Sequence, residues 1–113
     1  MRQPSKEEAN KIIGEYPASQ SFNFYTEIGN PIGESARSIS EFIESIKVVD
    51  VSSLDFHMYR EDFEKWIKAL GDEALALQIS NMRKSNLKGE NLRKRLLQVL
   101  RLRLGTLRKI AEA

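Results

Sequence analysis

The chain has 113 residues, 30% of them charged, a net charge of +2 and no cysteine. At this length one domain with a single hydrophobic core is feasible, and the missing cysteine excludes a disulfide frame, a thiolate nucleophile and cysteine-ligated metal. The N-terminal stretch is polar and carries acids, unlike a signal or transit peptide, and no apolar run approaches the ~20 residues of a membrane span, so a cytoplasmic protein is expected.

The first elements are short. Ser5 and Glu8 form an S-x-x-E capping box. A helix is expected from there to about Tyr16, with Ile12, Ile13 and Tyr16 on its apolar edge. Pro17 ends it. Residues 1–4 are expected to be loose, so 1–19 read as a tail with a short helix and 20–113 as a single helical domain. Segment 21–28 alternates, with Phe22, Phe24, Thr26 and Ile28 on one side and Asn23, Tyr25 and Glu27 on the other. No second strand offers itself, so this segment is expected to lay Phe22 and Phe24 into a helical core. Stacking of these rings on nucleic-acid bases would require both to be exposed. Residues 29–33, G-N-P-I-G, read as a turn. They lack the G-x-x-x-x-G-K-[ST] pattern of a phosphate loop. A helix over about 34–48 follows, burying Ile39, Phe42, Ile43 and Ile46.

Segment 52–79 carries the densest helix signals, with the only His and the only Trp. Phe56, Tyr59, Phe63, Trp66, Ile67 and Leu70 recur at spacings of three and four, one helical stripe. Ser52 or Ser53 caps the whole run, or Asp62 caps a second helix after a bend near Arg60 and Glu61. Gly71 ends the helix in a left-handed cap. Asp72 caps the next one, with Glu73 in its first turn and Leu75, Ala76, Ile79 and Met82 on its apolar face. Trp66, on an apolar stripe, reads as core.

These motifs, taken in order, resemble a prokaryotic domain family of unknown function. The matching positions are Phe22 and Phe24 (F-x-F), Gly33 and Ala36, and Ser38, Glu41 and Phe42 (S-x-x-E-F). They continue through Phe56 and His57, then Asp62, Phe63 and Trp66 (D-F-x-x-W), and end at Leu70, Gly71, Asp72, Glu73 and Leu75 (L-G-D-E-x-L). The resemblance spans roughly residues 20–110. Only residues 58–61 separate the F-H and D-F-x-x-W motifs, where longer members carry an insert, and Ile32 stands where Thr is expected. The family has no established activity, so the resemblance supports the domain boundary and no mechanism.

Residues 84–89 read as a polar loop and about 88–111 as a long last helix. Leu92, Leu96, Leu97, Val99, Leu100, Leu104, Leu107 and Ile110 share its broad face; Arg103 falls inside that face and Leu102 outside it. Arg103 is expected to snorkel, or to pair with a carboxylate of the acidic half. Gly105 is tolerated at a cost of ~1 kcal/mol or marks a close helix approach. The fold class expected is all-α, a bundle of four or five helices with one short extended segment near residues 21–28.

Charge is the most informative bulk feature. Residues 83–113 hold ten basic residues and two acidic ones, a balance of +8, and residues 1–82 carry −6. Either the basic helix is neutralised by packing beside the acidic half, or it offers a basic surface to a partner. The binding residues are then Arg93, Lys94, Arg95, Arg101, Arg108 and Lys109. The partner is a protein or a second copy docking on surplus leucines, or nucleic acid bound through phosphate neutralisation without base reading. His57 is the one catalytic candidate. An acid/base role needs a carboxylate partner and a cleft; in a continuous helix Asp55 lies two residues away and Asp62 five, neither the i, i+4 spacing that shares a face. A histidine that bridges helices is the competing reading. No metal-ligand motif or nucleophile elbow is present, so no metal and no cofactor are expected. The function expected is a small non-enzymatic interaction module.

Overall fold

The computed structural model describes residues 3–27 and 30–113. The element order is α1 (Lys6–Ile13), a short 3-10 turn (Ala18–Gln20), β1 (Phe22–Glu27), β2 (Asn30–Ala36), α2 (Ile39–Val48), α3 (Val51–Tyr59), α4 (Asp62–Ala69), α5 (Glu73–Lys84) and α6 (Gly89–Glu112). α6 is the spine: α1, α2, α3 and α5 all pack on it, and α4 packs on α3 and α5. No helix among the described residues is long and apolar enough to cross a membrane.

The all-α expectation is corrected by the sheet. Segment 21–28 does find a partner strand: β1 runs antiparallel to β2, with Phe22 opposite Ala36, Asn23 opposite Ser35 and Tyr25 opposite Pro31. The pairing is irregular between Asn23 and Tyr25, and Gly33, at φ +78°, lies in the stretch of β2 left over there, as a bulge favours. In a two-stranded sheet every strand is an edge, so Pro31, which lacks an N–H, is accommodated. The turn expected at 29–33 and the helix expected from 34 are replaced by this strand; Ile28 and Gly29, like Met1 and Arg2, lie outside the described residues. α2 starts only at Ile39, where Ser38 Oγ accepts the Glu41 N–H at 3.1 Å. The sheet is held to the helices by Phe22 and Phe24, both buried, and by a hydrogen bond from Ser45 Oγ to Glu34 Oε1 at 3.0 Å.

The N-terminal capping box forms as the sequence dictates, with Ser5 and Glu8 exchanging hydrogen bonds, and Ala9 and Ile12 bury against α6. The central run divides after Tyr59. Glu61 sits at φ +68°, a left-handed conformation uncommon for a residue with a side chain. The bend resets the helical phase. In α3 the buried residues are Ser53, Leu54, His57 and Met58, whereas Phe56 and Tyr59, expected on the stripe, are only half-buried. The cap of α3 is Asp50, whose carboxylate accepts the Ser52 N–H at 2.8 Å, in place of Ser52 or Ser53. That hydrogen bond holds the Asp50 carboxyl below its usual pKa. Gly71, at φ +103°, closes α4 with hydrogen bonds from Gly71 N to Lys68 O and from Asp72 N to Ile67 O, the left-handed cap expected. Asp72 Oδ1 then accepts the Leu75 N–H at 3.1 Å and starts α5.

Ser53 is fully buried, and its Oγ has no hydrogen-bond partner among the described residues. A buried hydroxyl without a partner is a net cost. Ser53→Ala is therefore expected to stabilise the fold by about 1 kcal/mol in chemical denaturation; a loss of stability would contradict the assignment.

Candidate functional site

His57 stands where β1, α3 and α4 meet. The bend at Glu61 turns α4 back so that Asp62, five residues on, faces the imidazole: Nδ1 lies 2.9 Å from Asp62 Oδ2. On the other side of the ring, the Tyr25 backbone N–H donates to Nε2 at 2.8 Å. A backbone amide only donates, so Nε2 is the acceptor and the proton resides on Nδ1, aimed at Asp62. The ring is 3% exposed. Burial pushes its pKa below 6.5, against the opposing pull of Asp62; Arg60 adds to the lowering. The result is a neutral histidine with both nitrogens engaged, fastening a strand to two helices. An acid/base role would require one of these bonds to be given up. Asp62, expected as a helix cap, makes no capping hydrogen bond; its carboxylate is turned to His57 and, at 3.3 Å, to Arg60.

A cleft of about 570 Å³ opens beside this junction. Asn23, Tyr25, Phe56 and Arg60 line it together with His57 and Asp62 themselves. The Arg60 guanidinium lies 4.9 Å from the Phe56 ring centroid and beside Asp62, so its charge is already partnered. Phe22 and Phe24 are 6% and 0% exposed, which removes the base-stacking reading. They join Phe42, Phe63 and Trp66 in one aromatic cluster of edge-to-face, tilted and stacked pairs, and Trp66 Nε1 donates to Gln20 O at 2.9 Å. Trp66 is half-buried and packs against the core with its polar edge satisfied, so the core reading holds only in part. Among the described residues no group of three or more His, Asp or Glu is arranged to hold a metal ion.

α6 sorts its cations by side. Two arginines turn inward. Arg103 grips Asp72 with Nε to Oδ2 and Nη2 to Oδ1, both at 2.8 Å, and side-chain exposures are 16% and 1%. Of the two expectations for Arg103, pairing with the acidic half is the one realised. Arg93 pairs with Glu90 at 2.8 Å and donates from Nη1 to Ile46 O at 2.7 Å, in the last turn of α2, where carbonyls are unpaired and the helix dipole favours a cation. Arg93 is thus committed to the fold. Lys94, Arg95, Arg101, Arg108 and Lys109 are exposed. Arg95 hydrogen-bonds its neighbour Gln98 at 2.8 Å, and none of the five forms an ion pair among the described residues. The helix has no carboxylate between residues 91 and 111. Its leucines point the other way: Leu92, Leu96, Leu100, Leu104 and Leu107 are buried, and only Leu102, at 69% exposure, stands out.

Sequence reasoning missed two structural groups at these places. Asp55 reaches across to start α6, accepting the Gly89 N–H at 2.9 Å, a contact across thirty-four positions that no local pattern announces. The His57–Asp62 pair was excluded by assuming an unbroken helix; the alternative bend at 60–61, also readable in the sequence, was the signal that brings the pair together. Comparison of the chain with protein-family models, with curated proteins and with solved structures gives no match.

Proposed function

We propose that the protein is a small non-enzymatic interaction module that binds an anionic macromolecule through the outer side of α6. The observation that carries the reading is the division of that helix. Its two inward arginines are neutralised by Asp72 and Glu90, while five cations project outward with no carboxylate interleaved. A surface of one sign concentrates counter-charged partners and speeds their capture. Surplus leucines, the other basis for docking, are mostly consumed by the core. Protein is the first reading for the partner, supported by the exposed Leu102 beside the cations. Sequence-independent nucleic-acid binding is the second, supported by the same run of cations. The absence of cysteine from the sequence suits a reducing compartment, and we place the protein in the cytoplasm.

The test is titration with polyglutamate and with duplex DNA at several salt concentrations. Affinity is expected to fall steeply with salt. The variant Lys94→Gln/Arg101→Gln/Arg108→Gln/Lys109→Gln is expected to lose about tenfold or more in affinity with its circular dichroism unchanged. Equal affinity in the neutralised variant would move the binding face elsewhere.

A further inference from the structure

We infer that the partner presents an acidic amphipathic α-helix, which lies along α6 with one side chain seated between Gln98, Arg101, Leu102 and Gly105. The inference rests on the reading of α6 as the binding face and adds the partner's chemistry and register.

The outward residues fall into three lines, each repeating every seven residues. Lys94, Arg101 and Arg108 form one flank; Arg95, Leu102 and Lys109 form the other; Asn91, Gln98, Gly105 and Glu112 run between them. All ten are exposed. Seven residues bring an α-helix back to nearly the same side, ~20° short, after a rise of ~10.5 Å. A second helix with acids every seven residues has the same step and the same drift. Its carboxylates therefore meet the three basic steps in one register when the helices cross at ~20°. A duplex presents one phosphate per ~3.4 Å of helix axis on each strand. It has no use for a seven-residue repeat or for an apolar side chain among the cations.

Two uncharged residues on this face, Leu102 and Gly105, are turned to solvent. Leu102 is 69% exposed. Gly105 sits inside a long unbroken helix, although glycine disfavours helix interiors, and a Cβ placed there would meet nothing within 4 Å. Of the two readings of this glycine, the close helix approach is not made among the described residues. Gln98, Arg101, Leu102 and Gly105 occupy i, i+3, i+4 and i+7, the four corners of the hole that receives a knob from a facing helix. Glycine at one corner lets a partner backbone come close, and Leu102 gives the hole an apolar wall. Pairing of α6 with α6 of a second copy would oppose like charges, so the occupant is a different, acidic helix.

The probes are a designed helical peptide of about 21 residues, with glutamates flanking a leucine every seven positions, a scrambled peptide of the same composition, and duplex DNA. The heptad peptide is expected to bind about tenfold tighter than the scramble. Gly105→Leu is expected to weaken the heptad peptide about tenfold without lowering the melting temperature, since the added side chain fills the hole yet favours the helix. Equal binding of the two peptides would overturn the inference and leave the α6 reading standing. Tighter binding of duplex DNA than of the heptad peptide would overturn it in favour of nucleic acid. Heptad binding that survives both Gly105→Leu and neutralisation of the cations would overturn the inference and the α6 reading together.

Discussion

Arg103→Met is expected to destabilise the protein by about 3–5 kcal/mol, the usual cost of stripping a buried ion of its partner. Asp72 is 1% exposed, and both its oxygens are held by the guanidinium, with Oδ1 also accepting the Leu75 N–H. Methionine keeps the apolar stem against the core, so the loss falls on the stranded carboxylate rather than on packing. Set against a typical total of 5–15 kcal/mol, the variant is expected to be marginal in urea unfolding. The double variant Arg103→Met/Asp72→Asn removes the stranded charge and is expected to recover part of the loss. A loss below about 1 kcal/mol in the single variant would show that Asp72 reaches water when Arg103 is gone, contrary to the burial described.

The second large effect belongs to His57 and depends on pH. Burial lowers its folded pKa below 6.5, so in acid the unfolded chain takes up a proton before the folded one does. Stability is then fully present above about pH 6.5 and falls as the pH drops through that value toward the folded pKa, below which this contribution is flat. Protonation places a hydrogen on Nε2, where the Tyr25 N–H already points, and the junction of β1 with α3 loses its bond. His57→Leu is expected to cost about 2–4 kcal/mol near neutral pH, because the Tyr25 N–H is left unpaired and the Asp62 carboxylate keeps only Arg60. It is also expected to flatten the fall in stability between pH 7 and 5. Urea midpoints of both proteins across that range decide the matter; a wild-type protein that gains stability on acidification would contradict the buried neutral ring.

What was legible in the sequence was mostly local. Ser5 with Glu8, Gly71 with Asp72, and the three-four spacing of the last helix each specify their element through contacts within one or two turns. The phase of α6 could be read down to Arg103 inside and Leu102 outside. What was not legible depended on distant partners. β2 has the composition of a turn, Asn30, Pro31 and Gly33, and becomes a strand because β1 and α2 supply its pairing and its cover. The phase of α3 depends on a left-handed glutamate at 61, a conformation with no residue signature of its own. The position of Arg93 follows from a carbonyl forty-seven residues away, and from sequence alone it was indistinguishable from the cations that face outward.

The central claim is that the outer side of α6 binds an anionic partner. It is tested most directly by two-dimensional amide NMR of the labelled protein during titration with the acidic heptad peptide. Shift changes are expected at Lys94, Gln98, Arg101, Leu102, Gly105 and Arg108, with the His57 junction unmoved. Changes centred on Tyr25, Phe56 and Arg60, around the cleft, with α6 silent, would contradict the account.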